Sequence, residues 1–120
     1  MSKTILIADD SPTEMRLFVK ALERRGYQTI SAVNGEEAVE IARSEHPSLV
    51  VCDVIMPKKN GFQVARQLKN ADETRDIKIL LISSKNQDSD RFWGLKQGAD
   101  EYLAKPFDDQ TLVNTIERLL

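Results

Sequence analysis

Leu49-Val50-Val51-Cys52, followed at once by Asp53, is the stretch on which the fold turns. Consecutive apolar residues cannot alternate between core and water. A strand made of them is buried on both faces, as in the middle of a parallel sheet. Ile5-Leu6-Ile7-Ala8 and Ile79-Leu80-Leu81-Ile82 read the same way. Thr29-Ile30-Ser31-Ala32-Val33 and Glu101-Tyr102-Leu103-Ala104 are mixed in character and suit the edges of the same sheet.

Amphipathic segments separate these runs. The first opens on Ser11-Pro12-Thr13-Glu14, an S-x-x-E capping box with proline at the first helical position, where its missing N–H costs nothing. Leu17, Phe18, Ala21 and Leu22 are its expected apolar face, and Gly26 ends it. A second helix follows Asn34-Gly35, with Ala38, Ile41 and Ala42 inward. A third starts at Gly61, with Phe62, Ala65 and Leu68 inward. A fourth is expected to turn Phe92 and Leu95 inward and to stop at Gly98. A fifth carries Leu112, Val113, Ile116, Leu119 and Leu120. Strands that alternate with helices call for right-handed crossovers and a parallel sheet covered on both faces, an α/β fold of (βα)5 type. Three buried and two edge-like strands fit the order 2-1-3-4-5. The chain then reverses direction between the first and third strands, and a site belongs outside their carboxyl ends.

The composition narrows the function. The 120 residues suit one domain over 1–120, without an attached DNA-binding or kinase module. Lys and Arg number 17 against 19 Asp and Glu, a net charge of -2, which argues against direct binding of nucleic acid. A single cysteine, Cys52, excludes an intrachain disulfide, and a single histidine, His46, excludes a multi-histidine metal site. No apolar run approaches the ~20 residues of a membrane helix, and no signal peptide is visible. A reducing, cytoplasmic setting is expected.

Asp9-Asp10 follows the first strand and Asp53 the third. Adjacent strands lie ~4.8 Å apart, so three carboxylates converge at the crevice. Like charges so close destabilise a fold unless a cation or a proton relieves them. Oxygen-only ligands suggest a hard divalent ion, foremost Mg2+. Ser83-Ser84 and Lys105-Pro106 end the fourth and fifth strands and add a hydroxyl and an ammonium to the same rim. Together these groups suit a phosphoryl group. The sequence carries neither a GxxxxGK[ST] loop nor a GxGxxG turn. The phosphoryl group is therefore expected on a carboxylate of the protein itself, by nucleophilic catalysis.

With these motifs in place, the chain resembles the response-regulator receiver family over essentially its whole length. The matching pieces are Asp9-Asp10, the run Asp53 to Gly61, Ser83-Ser84, and Gly98-Ala99-Asp100-Glu101-Tyr102-Leu103-Ala104-Lys105-Pro106-Phe107. The strand order above is shared by chemotaxis receivers and flavodoxins, so the implied fold is flavodoxin-like. The resemblance implies that Asp53 accepts a phosphoryl group from a sensor histidine kinase or its phosphotransfer domain. It implies Mg2+ held by Asp9, Asp10, Asp53 and the backbone carbonyl of Ile55. Lys105 pairs with Asp53 and then with phosphoryl oxygens. Ser83 is the switch hydroxyl, and Tyr102 the aromatic that turns inward with it. The readout face toward a downstream effector is the fourth helix, fifth strand and fifth helix. A cis bond before Pro106 is also implied.

Some positions leave alternatives open. Ile55 stands two residues after Asp53, where many relatives carry a polar side chain, and is expected to slow loss of the phosphoryl group. A small Mg-dependent phosphohydrolase with an Asp nucleophile would want an acid there, so that reading is weaker. A receiver acting only as a phosphate sink for a shared kinase is a further alternative. Trp93, about 100° from Phe92 around its helix, is either packed over the sheet edge or a docking anchor. Trp93-Gly94, Gln97-Gly98-Ala99 and the run Asp9 to Met15 are similar to receivers of twitching-motility and phototaxis pathways. His46 reads as a solvated helix end rather than a phosphohistidine, and Cys52 as core.

Overall fold

The structure, a computed structural model, describes residues 3–120. Strands β1 (Thr4–Ala8), β2 (Gln28–Ala32), β3 (Leu49–Asp53), β4 (Lys78–Ser83) and β5 (Glu101–Ala104) alternate with helices α1 (Pro12–Glu23), α2 (Gly35–Glu45), α3 (Gly61–Lys69), α4 (Asp88–Lys96) and α5 (Asp109–Leu119). All strand pairs are parallel, in the order β2-β1-β3-β4-β5. β3 is buried along its whole length, while β2 and β5 form the edges. Among the described residues no helix is long and apolar enough to cross a membrane.

The two-residue period of a strand sorts the side chains into two cores. Ile5, Ile7, Leu49, Val51, Leu80 and Ile82 pack with Phe18 and Leu22 of α1 and with Leu112, Val113 and Ile116 of α5. Leu6, Ala8, Val50, Cys52, Ile79, Leu81 and Tyr102 pack on the opposite face with α2 and α3. Continuing the alternation places Asp9, Asp53 and Lys105 with the α1 face. Ser83 goes with the Tyr102 face.

Two expectations about helix faces fail. Leu17 is 57% exposed. Phe18, Ala21 and Leu22 fill the contact of α1 with the sheet, with Met15 and Val19 at its margin, and Leu17 falls on the far side. On α4, Phe92 and Leu95 point outward, 64% and 40% exposed. The buried residue of α4 is Gly94. A Cβ there would lie 3.0 Å from Tyr102 and 3.1 Å from Leu81. The helix thus approaches the sheet closely at a residue without a side chain, and the Tyr102 ring occupies that room. Asp90 and Gln97, spaced like Gly94 on the inward side, are partly covered. Trp93 is 51% exposed, so about half of it is open to solvent.

Candidate functional site

Parallel register brings the strand ends level. Ala8 pairs with Cys52, Asp53 with Ile82, and Ser83 with Ala104. One carboxylate oxygen from each of Asp9, Asp10 and Asp53 therefore falls within 4.8 Å of the others. Asp9 and Asp53 are buried and Asp10 is exposed. The oxygens of Asp53 have different partners. Oδ1 accepts from the Ile55 N–H at 3.1 Å, and Oδ2 from Lys105 Nζ at 2.8 Å. Lys105 Nζ also lies 3.9 Å from Asp9 Oδ2 and contacts Glu14 Oε1. The Lys105-Pro106 bond is cis.

Asp9 is the most perturbed acid of the group. Its Oδ1 accepts from the Ser11 N–H at 2.8 Å. Its Oδ2 is buried and has no hydrogen-bond partner among the described residues. Burial raises its pKa to about 6, the Ser11 bond opposes this, and the charges of Asp53 and Glu14 add to the rise. A buried, unpartnered carboxylate oxygen facing two more carboxylates is the donor set of a hard cation. Lys105 shows the converse balance. Burial works against its charge, but hydrogen bonds to Asp53 and Glu14 outweigh that and hold its pKa above the ordinary lysine value.

The raised pKa of Asp9 predicts an unusual pH dependence. Between the ordinary carboxylate value of 3.8 and about 6, the folded chain holds a proton that the unfolded chain has lost. The Asp9 contribution is therefore largest below that window and is lost as pH rises through about 6. In chelator, the thermal midpoint is expected to rise as pH is lowered from 7 toward 5, and Asp9→Asn to flatten that rise. A midpoint that falls over the same interval in wild type would contradict the assignment.

The groups across the sheet are arranged separately. Ser83 is fully buried, and its Oγ accepts from the Lys85 N–H at 3.0 Å. The Tyr102 ring is already buried, and its hydroxyl donates to the Lys85 carbonyl at 2.7 Å. Arg91 ties α4 to this edge by donating to the Tyr102 carbonyl at 2.9 Å and pairing with Glu101 at 2.7 Å. The side chain of Ile55 is 56% exposed. His46 caps α2 in a left-handed conformation and meets Asp76 at 3.1 Å, away from these groups. Cys52 is core, and burial pushes its thiol pKa up.

Sequence reasoning missed Glu14. In the expected capping box its carboxylate would take the Ser11 N–H. Half of the box forms, since Ser11 Oγ accepts from the Glu14 N–H at 3.3 Å. Asp9 takes the Ser11 N–H instead, and the Glu14 carboxylate turns to Lys105. The signal was available, because Asp9 sits two residues before Ser11 and can form an Asx turn.

Comparison with known proteins adds a family and relatives. The family model described as response regulator receiver domain matches residues 5–117. Protein PilH of Pseudomonas aeruginosa is 47% identical over 97% of this chain and 96% of its own. The alkaline phosphatase synthesis transcriptional regulatory protein PhoP of Bacillus subtilis is 38% identical over 100% of this chain, which spans 49% of that protein. The chemotaxis response regulator CheY4 of Vibrio cholerae superimposes with a TM-score of 0.94 at 27% identity, covering 100% of both chains.

Proposed function

The chain belongs to the response regulator receiver family, and from that premise we propose that it is a phosphorylation switch whose acceptor is Asp53. The observation that carries this reading is the placement of Asp53: buried, 2.8 Å from Lys105 Nζ, and within 4.8 Å of Asp9 and Asp10. The donors are a sensor histidine kinase or its phosphotransfer domain. The unpartnered Asp9 Oδ2 and the all-oxygen donor set fit Mg2+, held by Asp9, Asp10, Asp53 and the Ile55 carbonyl. When bound, Mg2+ would offset charge on the phosphoryl oxygens during in-line transfer.

A carboxylate oxygen of Asp53 attacks phosphorus, the donor atom leaves with its electron pair, and a mixed anhydride forms. Lys105 keeps an ammonium beside the new phosphoryl oxygens, and the Ile55 N–H orients the carboxylate. Ser83 then turns toward the phosphoryl group, giving up the Lys85 N–H it now accepts from. Tyr102 lies inward with its hydroxyl on the Lys85 carbonyl, next to the segment that Ser83 would release. The chain catalyses only its own phosphorylation and dephosphorylation. The apolar side chains that α4 turns outward, Phe92, Trp93 and Leu95, favour an effector-binding switch over a phosphate sink. A motility or taxis pathway is supported by the resemblance of Trp93-Gly94 and the Asp9–Met15 run, and by the 47% identity to PilH.

The test is incubation with a small phosphodonor and Mg2+, followed by intact-mass measurement. One labile phosphoryl group should be added, with none in the absence of Mg2+. Ile55 supplies a second test at the same site. Its apolar side chain is 56% exposed two residues after Asp53, a position from which it would hinder the approach of water to the phosphoryl group. Ile55→Asn should speed dephosphorylation by about three- to tenfold, on the order of 1 kcal/mol of barrier. An unchanged rate would remove Ile55 from the water path.

A further inference from the structure

We propose that Glu14 is a positioning residue for the metal site, acting through Lys105: it holds the ammonium so that a divalent cation can take Asp53. This rests on the metal reading given above. Among the described residues, Lys105 is the one cation paired with Asp9, Glu14 and Asp53. Its ammonium sits on Asp53 Oδ2, on the same carboxylate that would have to hold the cation. Lysine and metal therefore compete for one carboxylate. Without another acceptor, the largely covered Lys105 would be left unpaired when the cation entered, and stranding a charge is costly. Glu14 is that acceptor.

The chain frees Glu14 for this task by its own local structure. Pro12 starts α1 without an N–H, and Asp9 Oδ1 takes the Ser11 N–H that a capping-box glutamate would have used. Glu14 is in the first turn, on the rim where β1 and β3 end, and its carboxylate reaches Lys105. Glu14 is 40% exposed and its charge also bears directly on Asp9, so its contact with Lys105 has to be separated from that direct field by comparing backgrounds with and without the lysine.

The experiment is a double-mutant cycle read as the Mg2+ dissociation constant, by calorimetry at fixed ionic strength. Glu14→Gln should weaken Mg2+ binding about fivefold, because Lys105 then rests on Asp53 and Asp9 alone. Lys105→Met should strengthen it by removing the competitor. In the Lys105→Met background, Glu14→Gln should change affinity by less than about twofold. Lys105→Gln serves as a second background that keeps a polar side chain. A loss of equal size in both backgrounds would mean that Glu14 acts by its own charge, and the inference falls. It also falls if Glu14→Gln lowers only the melting temperature in chelator, as a purely helix-capping residue would. Absence of any Mg2+ binding in wild type would overturn the metal reading itself, and this inference with it.

Discussion

Asp53→Asn should take up no phosphoryl group under conditions that add one to wild type. The neutral amide oxygen lacks the negative charge that makes a carboxylate oxygen nucleophilic, and no neighbour is placed to replace it. Asp9 is also buried, but Lys105 Nζ lies 3.9 Å from its Oδ2, too far to hydrogen-bond there, against 2.8 Å for Asp53 Oδ2. Asp10 is exposed and outside the pairing with Lys105. The loss should therefore be complete by intact mass rather than partial. Ser83→Ala is the useful contrast. Its hydroxyl lies on the Tyr102 side of the sheet, so the variant should still accept the group on Asp53 while coupling it weakly to α4 and β5. A phosphorylated Asp53→Asn protein would overturn the assignment of the acceptor.

Gly35→Ala should cost about 3 kcal/mol of stability, at the upper end of overpacking effects. Gly35 is the first residue of α2 and is buried against the loop that leaves β3. A Cβ there would lie 2.1 Å from the Lys59 carbonyl oxygen and 2.4 Å from Lys59 Cβ. Neither position is the far end of a flexible side chain, so the loop backbone itself must shift. That loop is pinned at both ends. The Val54 N–H donates to the Ile82 carbonyl at 2.9 Å, and the Gly61 N–H to the Val54 carbonyl at 2.8 Å. Relief by loop movement therefore strains the segment that carries Asp53 and Ile55. For a chain of this size the melting temperature should fall by roughly 10 °C. A variant within about 0.5 kcal/mol of wild type, the range of ordinary surface substitutions, would show that the loop yields freely.

The parts of the site that were legible in the sequence are those tied to strand ends. Asp9, Asp53, Ser83 and Lys105 each follow a run of apolar residues, and a parallel sheet has one way to bring such ends level. Burial of β3 on both faces follows from Leu49-Val50-Val51-Cys52 alone, and the edge places of β2 and β5 from their mixed residues. Helix faces were less legible. Counting apolar residues on α4 pointed Phe92 and Leu95 inward, yet the helix docks on Gly94, the residue with nothing to bury. Hydrophobic periodicity reports what a helix offers, whereas docking depends on the shape of what it meets, here the Tyr102 ring. Leu17 failed for the same reason, since Phe18 and Leu22 had already filled the groove against α5.

What the sequence by itself determined is the (βα)5 order and the identity of the acids, hydroxyl and lysine at its rim. These follow from a two-residue strand period and from the rule that a parallel sheet gathers its carboxyl ends. Only the tertiary structure decided who holds whom there. Glu14 leaves its cap for Lys105 because Asp9 reaches the Ser11 N–H first, and Tyr102 lies inward because Gly94 leaves it room. Such choices are competitions between groups distant in sequence for one donor or one small space, and they exist only once the chain has closed on itself.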